Sequence, residues 1–328
     1  MLDYLIRRIL IMVPTLVVVS IISFLIIQLP PGDYLDLYVS TLREQGDYID
    51  ETVLARLEKR YGLGQPVYVK YYKWISGILL RNDWGDSMYY RLPVKQVIGD
   101  RILLTIALSS ATMLFSWVIA IPVGVFSATH QYSIADYVVT FFNFIGRGVP
   151  GFMLAMVIMW WAMTRWDISV GGLFSPEYID AEWSWARFVD LLKHIWQPMI
   201  ILAIGSTAGR IRITRANLLD ELNKPYVQTA RAKGVKERKL IWRYPVRVAL
   251  NPFFSTVGWS LASLISGTTI VSIVLSLQTT GPMLYRALIS QDMYLAGSFI
   301  LILSTLTVIG TFLSDLLLAW VDPRIRYD

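Results

Sequence analysis

Apolar residues fall along this chain in long unbroken runs rather than in strand-like alternation. Six runs predict membrane-crossing helices, over about 9–29, 103–126, 137–163, 196–209, 252–276 and 296–320. A helix needs about 20 apolar residues to cross a bilayer core. The fourth run is short, and its pattern continues helically through Arg210, Arg212 and Arg215, whose long stems can return their charges to water. The first run follows Arg7 and Arg8 as a secretory signal would. It is too long for a signal's apolar core and no small-residue cleavage site follows, so a retained helix is expected. Between the third run's halves, Gly146-Arg147-Gly148-Val149-Pro150-Gly151 should interrupt the helix.

Composition agrees with a membrane class. Of 328 residues, 55% are hydrophobic and 16% charged, against about 25% charged in ordinary soluble domains. The 12 Trp, 18 Tyr and 13 Phe suit a membrane interface. With no Cys, disulfides and thiolate metal sites are excluded. Charge placement sets the orientation. With the N-terminus inside, the short inside segments 1–8, 127–136, 210–247 and 321–328 carry 15 Lys and Arg, and the short outside loops 164–195 and 278–295 carry 4. The bias predicts both termini in the cytoplasm. Segment 30–101 balances 10 basic against 10 acidic residues and reads as an extracytoplasmic insert. Within it, a helix is expected over Glu51–Tyr61, a second and aromatic one over Pro66–Leu80, and a turn at Asp83–Ser87. The expected division is 1–101, first helix plus insert, and 102–328, a five-helix core with a basic loop at about 210–250.

That loop is the most informative stretch. Between Arg210 and Arg247 it holds 11 Lys and Arg against Asp220, Glu221 and Glu237. Pro225 follows a leucine-rich helix end. Ala230 and Ala232 are small enough for close approach of another surface. Gly234 can take the left-handed conformation that ends one helix and starts another at an angle. Val235, Lys239 and Trp242 then resume helical spacing. A basic loop obeying the positive-inside rule, or an anionic-lipid patch, would explain the charge alone. A helix, a Gly hinge and a second helix favour a rigid projection that fits a partner's groove.

The loop resembles the cytoplasmic coupling loop of ABC-importer permeases, in the form found in the oligopeptide and dipeptide branch. Met1-Leu-Asp-Tyr-Leu-Ile-Arg-Arg-Ile-Leu-Ile-Met-Val-Pro14, Arg60-Tyr-Gly-Leu-Gly-Gln-Pro-Val67, Trp84-Gly-Asp-Ser87, Thr229-Ala-Arg-Ala-Lys-Gly234, Ala249-Leu-Asn-Pro252 and Asp322-Pro-Arg-Ile-Arg326 are similar to that family's segments, in order along nearly the whole chain. Gln228-Thr229-Ala230 stands where the general loop has Glu-Ala-Ala. Tyr244-Pro245-Val246-Arg247 and Leu275–Gly281 also depart from the usual pattern. The resemblance implies an all-α type I importer permease with six transmembrane helices, in a prokaryotic cell membrane. It implies a second, homologous permease as heterodimer partner, two cytoplasmic ATPase subunits and an extracytoplasmic solute-binding protein. ATP and magnesium would be held by those ATPases, with no cofactor on this chain and no nucleic-acid partner. Tyr226, Thr229, Ala230, Arg231, Ala232, Lys233, Gly234, Val235, Glu237 and Arg238 would form the ATPase-coupling surface. The cargo would be oligopeptides or dipeptides, with oligosaccharides and metal chelates as alternatives within such families.

Enzymatic chemistry finds no residue set. There is no Gly-rich loop ending in Lys-Ser/Thr for nucleotide phosphates. His130 and His194, the only histidines, are expected on opposite sides of the membrane and make no metal site. Polar residues in the spans are the pathway candidates, above all Asn143, Arg147, Ser263 and Ser266. Ser260, Ser263 and Gly267 also suit a close helix contact. An ion-coupled secondary transporter is the competing reading; it would need internal repeats and several mid-membrane charges, and neither pattern stands out.

Overall fold

The computed structural model describes residues 2–28, 65–167, 170–179, 181–258, 260, 263 and 268–321. Among them the chain is almost wholly helical, with one isolated bridge between Asp86 and Pro93. In order, the helices are α1 (Leu2–Ile27), α2 (Val67–Arg81), α3 (Val94–Thr129), α4 (Ile134–Gly148), α5 (Gly151–Trp166), α6 (Trp185–Leu222), α7 (Pro225–Ala232), α8 (Glu237–Arg243), α9 (Pro245–Ala249), α10 (Asn251–Ser255), α11 (Thr269–Val274), α12 (Thr280–Ile289) and α13 (Met293–Val321).

Three of these, α3, α6 and α13, are long and apolar enough to cross a membrane unaided, and α1 adds a shorter apolar stretch, Leu10–Leu25. The third expected span is present as α4 and α5, bent by 103° at the break between them. The cause is local. Val149, before a proline, is held extended at φ −91°, ψ 128°, and Pro150 caps α5 at ψ 134°. Of the span expected at 252–276, residues 259, 261, 262 and 264–267 lie outside the described set, as does the helix expected over Glu51–Tyr61. The aromatic helix expected over Pro66–Leu80 is α2, and the turn after it contains Gly85 at φ +75°.

The chain divides into two compact units, residues 1–104 with 279–308, and 105–278 with 309–328. In the first, Phe24 stacks on Trp74 and meets Tyr71 edge-on, and Ile78 completes the cluster. The Ser20 and Tyr71 hydroxyls lie 2.8 Å apart. Asp292 is fully buried before α13. It accepts from the Ser87 hydroxyl at 2.5 Å, from Tyr89 N–H at 3.1 Å and from Leu295 N–H at 3.1 Å. The turn after α2 and the start of α13 are thereby clipped together.

The second unit is built on close helix crossings. Lipid tails are as apolar as leucine, so helices in a bilayer associate through contact and hydrogen bonding rather than water exclusion. Small residues permit the contact. A Cβ on Gly146 of α4 would stand 3.2 Å from Ala208 Cβ of α6, and one on Gly124 of α3 only 2.6 Å from Thr214 Cβ. Gly258 and Gly310 touch backbone to backbone, and Gly258 N–H donates to Ser314 Oγ at 2.8 Å. Of the close contact expected at Ser260, Ser263 and Gly267, Gly267 lies outside the described residues; the structure shows one nearby at Gly258, where a methyl group has no room. Outward, α4 and α5 expose Phe141, Phe142, Phe144, Trp160 and Trp161, each about half exposed or more. So much apolar surface suits lipid or a membrane partner rather than water.

Candidate functional site: a basic cavity and a hinged loop

The break between α4 and α5 opens onto a cavity of about 660 Å³ in the second unit. Its walls come from the α4 end (Gly146, Arg147), the α5 start (Pro150, Gly151, Leu154), the α6 face from Ile201 to Ile213, and Pro252, Phe253, Thr256, Ser260, Ser263, Thr268 and Val271. Each contribution has a local cause. The extended Val149-Pro150 pair turns α5 away from α4 and puts the first residues of α5, Gly151 and Leu154, on the cavity wall. Glycines at 205 and 209 let α6 approach α4 closely. The Arg147 guanidinium lies over α6, where a Cβ on Gly209 would be 3.0 Å from its Nη1.

Among the described residues that line it, Arg147 and Arg210 carry charge and none is a carboxylate. Arg210 Nη1 donates to Ser116 Oγ at 3.2 Å. Among the described residues, no hydrogen-bond or ion-pair partner meets Arg147. Of the other pathway candidates, Ser263 lines the cavity, Asn143 does not, and Ser266 lies outside the described residues. Sequence reasoning missed Arg210 as a cavity residue, treating it as a snorkelling cation. The available signal was its position one residue after Gly209 and four after Ser206, which puts it on the Ser206 face of the helix.

Farther along the same helix pair stands a matched charge. Arg215 of α6 grips Asp136 of α4 with Nε–Oδ1 at 2.9 Å and Nη2–Oδ2 at 2.8 Å. The Ser127 hydroxyl and Tyr132 N–H also donate to this carboxylate, and Ser133 caps α4. Asp136 is 4% and Arg215 26% exposed at the side chain.

Helix α6 runs unbroken from the cavity to the basic loop, as expected through Arg210, Arg212 and Arg215. Its end packs with Val125, Ala128, Val246 and Ala249. After Asn223 the chain turns into α7, with Pro225 as its first residue. Gly234 sits at φ +73° with open space around it. Val235 N–H reaches Ala230 O at 3.3 Å and Gly234 N–H reaches Arg231 O at 3.0 Å, the paired bonds of a left-handed helix cap. α7 and α8 then fold onto each other through Val227, Ala230 and Leu240. Ala230 is therefore buried within the loop, and its small size serves the loop's own packing. Tyr226, Thr229, Arg231, Ala232, Lys233, Gly234, Glu237 and Arg238 are exposed, with Val235 half-buried. Arg231 clasps Glu237 across the hinge, Nε–Oε2 at 3.1 Å and Nη2–Oε1 at 2.6 Å. These bonds hold the Glu237 carboxyl below its ordinary range and raise the Arg231 guanidinium. Lys236, Arg238, Lys239 and Trp242 line a shallow depression on α8.

Residues 120–327 match the family described as binding-protein-dependent transport system inner membrane component, and residues 1–109 match its N-terminal membrane component. The chain is 33% identical to the oligopeptide transport system permease protein AppB of Bacillus subtilis over 99% of both chains. It is 28% identical to the dipeptide transport system permease protein DppB of Escherichia coli, over all of this chain and 99% of that one. It is 27% identical to the peptidoglycan transport system permease protein YejB of Agrobacterium fabrum, over 99% and 98%. Among solved structures, the inward-facing MetNI methionine ABC transporter superposes with a TM-score of 0.53 at 16% identity, covering 69% of this chain and 97% of that one. That likeness is one of fold.

Proposed function

The chain belongs to the family of inner-membrane components of binding-protein-dependent transport systems, and from that premise we propose how it works as the permease of an ATP-driven peptide importer. One observation carries the proposal. A single 38-residue helix, α6, forms the cavity wall at Ile201–Ile213 and ends where the hinged loop begins. At 1.5 Å per residue it is a rod about 57 Å long. A push on α7 and α8 is felt at the cavity, which begins about 14 Å back along α6 at Ile213, because α6 has no break between the two and Asp136–Arg215 ties it to α4. Rigid-body motion of such an element is how a nucleotide-driven closure can alternate access to a binding cavity.

In this reading the chain crosses the membrane six times with both termini in the cytoplasm. The exposed surface around Gly234 receives an ATPase subunit, with Tyr226, Arg231, Lys233 and Arg238 at its rim. A second permease completes the pathway, and an external binding protein delivers cargo. ATP and magnesium reside on the ATPase subunits. The relatives' names favour peptides as cargo.

The test is co-expression with the neighbouring transport genes, purification, and reconstitution into vesicles. Two ATPase chains and a second permease should co-purify, and vesicles should accumulate peptide only with ATP and the binding protein. Gly234→Pro should leave the membrane core assembled but uncouple ATP hydrolysis from uptake, since proline cannot adopt φ near +73°. Uptake driven by an ion gradient without ATP would overturn the reading.

A further inference from the structure

Charged side chains inside a membrane protein are expensive, and they normally meet a counter-charge or water. The Asp136–Arg215 pair follows that rule. Arg147 and Arg210 have no counter-charge of this kind: both line the cavity, none of its described lining residues is a carboxylate, Arg210 is half-buried with only the Ser116 hydroxyl beside it, and Arg147 is exposed with no partner among the described residues. Arg147 lies against Gly209, and Arg210 is the next residue. The two guanidinium groups thus spring from adjoining points of the wall. A third positive element joins them. Pro150 and Gly151 at the start of α5 also line the cavity, and the first amides of a helix carry its positive dipole end. Broken membrane helices that aim such an end at an anionic group of a transported molecule are a recurrent device.

We propose that Arg147, Arg210 and the N-terminus of α5 form a carboxylate-binding subsite that takes the C-terminal carboxylate of a peptide in transit. The inference rests on the peptide-importer reading above and deepens it. A guanidinium presents parallel N–H donors that match the two oxygens of a carboxylate. The cavity volume is within the range of small-molecule sites, so a short peptide can place its end there. The remaining wall is apolar or hydroxyl-bearing, from Leu154, Phe253, Val271, Ser206, Ser263 and Thr256. Such a lining tolerates many side chains while the arginines hold the one group that every unmodified peptide shares. No covalent step is involved.

The test uses the complete importer with its partner permease, ATPases and binding protein in vesicles. The probe is an alanine peptide ladder, dipeptide to octapeptide, offered as free acids and as C-terminal amides in the same vesicles, each corrected for binding-protein occupancy. Losing a charge-assisted pair should cost about tenfold. Wild type should favour the acids by about that factor, and Arg147→Gln and Arg210→Gln should each collapse the acid-to-amide ratio toward one. The ratio is internal to each preparation, so poor assembly lowers both arms together. Arg212→Gln, on the same helix but not lining the cavity, should keep the wild-type ratio. A wild-type ratio in both Arg147→Gln and Arg210→Gln overturns the proposal. Arginine dependence seen only for amidated peptides that carry a glutamate assigns the site to side chains and overturns the terminal assignment. If the binding protein refuses amides, free-acid peptides with a photoreactive residue near either end replace them. The C-terminal probe should label the 205–213 segment and lose that preference in the variants; equal labelling from both ends overturns the proposal. Peptide failing to enter wild-type vesicles while ATP is hydrolysed would instead sink the importer reading, and the subsite with it.

Discussion

Helices α4 and α6 are bridged by arginine twice, and the two bridges differ in kind. Near the basic loop, Arg215 of α6 meets Asp136 of α4 in a two-bond clasp, with Ser127 and Tyr132 satisfying the remaining oxygen sites. At the other end of α4, Arg147 reaches back over Gly209 of α6, stands exposed, and among the described residues meets no carboxylate. The same two helices carry both, so packing alone does not explain the contrast. A charge that serves the fold is matched, because leaving one member of a buried pair uncompensated is strongly destabilising. A charge left open toward a cavity is available to something that comes and goes. The matched bridge fixes the lever and the open one faces the load.

The largest expected effect breaks the matched bridge. Asp136→Ala leaves Arg215 without its counter-ion and should destabilise the protein by about 3 kcal/mol, read as a shift in the unfolding midpoint in detergent. Arg215→Ala should cost a similar amount, and the double variant should cost clearly less than the sum, which is the signature of a coupled pair. Additive losses would show that the clasp does not bind α4 to α6.

The second way to sharpen the contrast is to give the open arginine a partner. A Cβ at position 209 stands 3.0 Å from Arg147 Nη1, so Gly209→Asp brings a carboxylate beside the guanidinium. It should convert the open bridge into a second matched one. Free-acid peptide uptake should fall about tenfold, with a stability cost of about 1–3 kcal/mol from crowding the α4–α6 crossing. Gly146→Ala, at the same crossing, touches no charge. Its methyl would stand 3.2 Å from Ala208 Cβ, so α4 must shift by a few tenths of an ångström. It should cost about 1 kcal/mol through overpacking and leave the acid-to-amide ratio alone. Equal ratio changes in Gly209→Asp and Gly146→Ala would mean that crossing geometry, not charge, governs the cavity.

Much of this was legible in the sequence, for identifiable reasons. Continuous apolar runs announce spans because a bilayer demands them, and α1, α3, α6 and α13 lie where the runs lie. The break at 146–151 was legible because Pro150 restrains the backbone of Val149 before it. The hinge at Gly234 was legible because few other residues accept a positive φ. Long-range pairing was not. Asp136 and Arg215 are 79 positions apart, Ser87 and Asp292 are 205 apart, and no local period records either. Arg210 was misjudged because a cation at the end of an apolar run looks alike whether it snorkels to water or lines a cavity. Ala230 was read as a docking surface, yet α8 folds over it, a tertiary fact that follows only once the chain has turned at Gly234.

The smallest expected effect belongs to the third arginine pair, Arg231–Glu237, which is matched like Arg215–Asp136 but stands in water with both side chains about half exposed. Exposed pairs contribute little because water and salt already screen them. The Glu237 carboxyl is held below its ordinary range by the hydrogen bonds from Arg231. A depressed carboxylate contributes stability above its unfolded pKa and loses it as pH falls through the folded one. The clasp across Gly234 should therefore be intact at neutral pH and release only in acid. Glu237→Gln should leave the unfolding midpoint near wild type, and remove whatever acid-dependent change hydrogen exchange detects at the α7–α8 hinge. If Glu237→Gln matched Asp136→Ala in cost, burial would not be what separates the two matched pairs, and the distinction between structural and open charges on this chain would have to be redrawn.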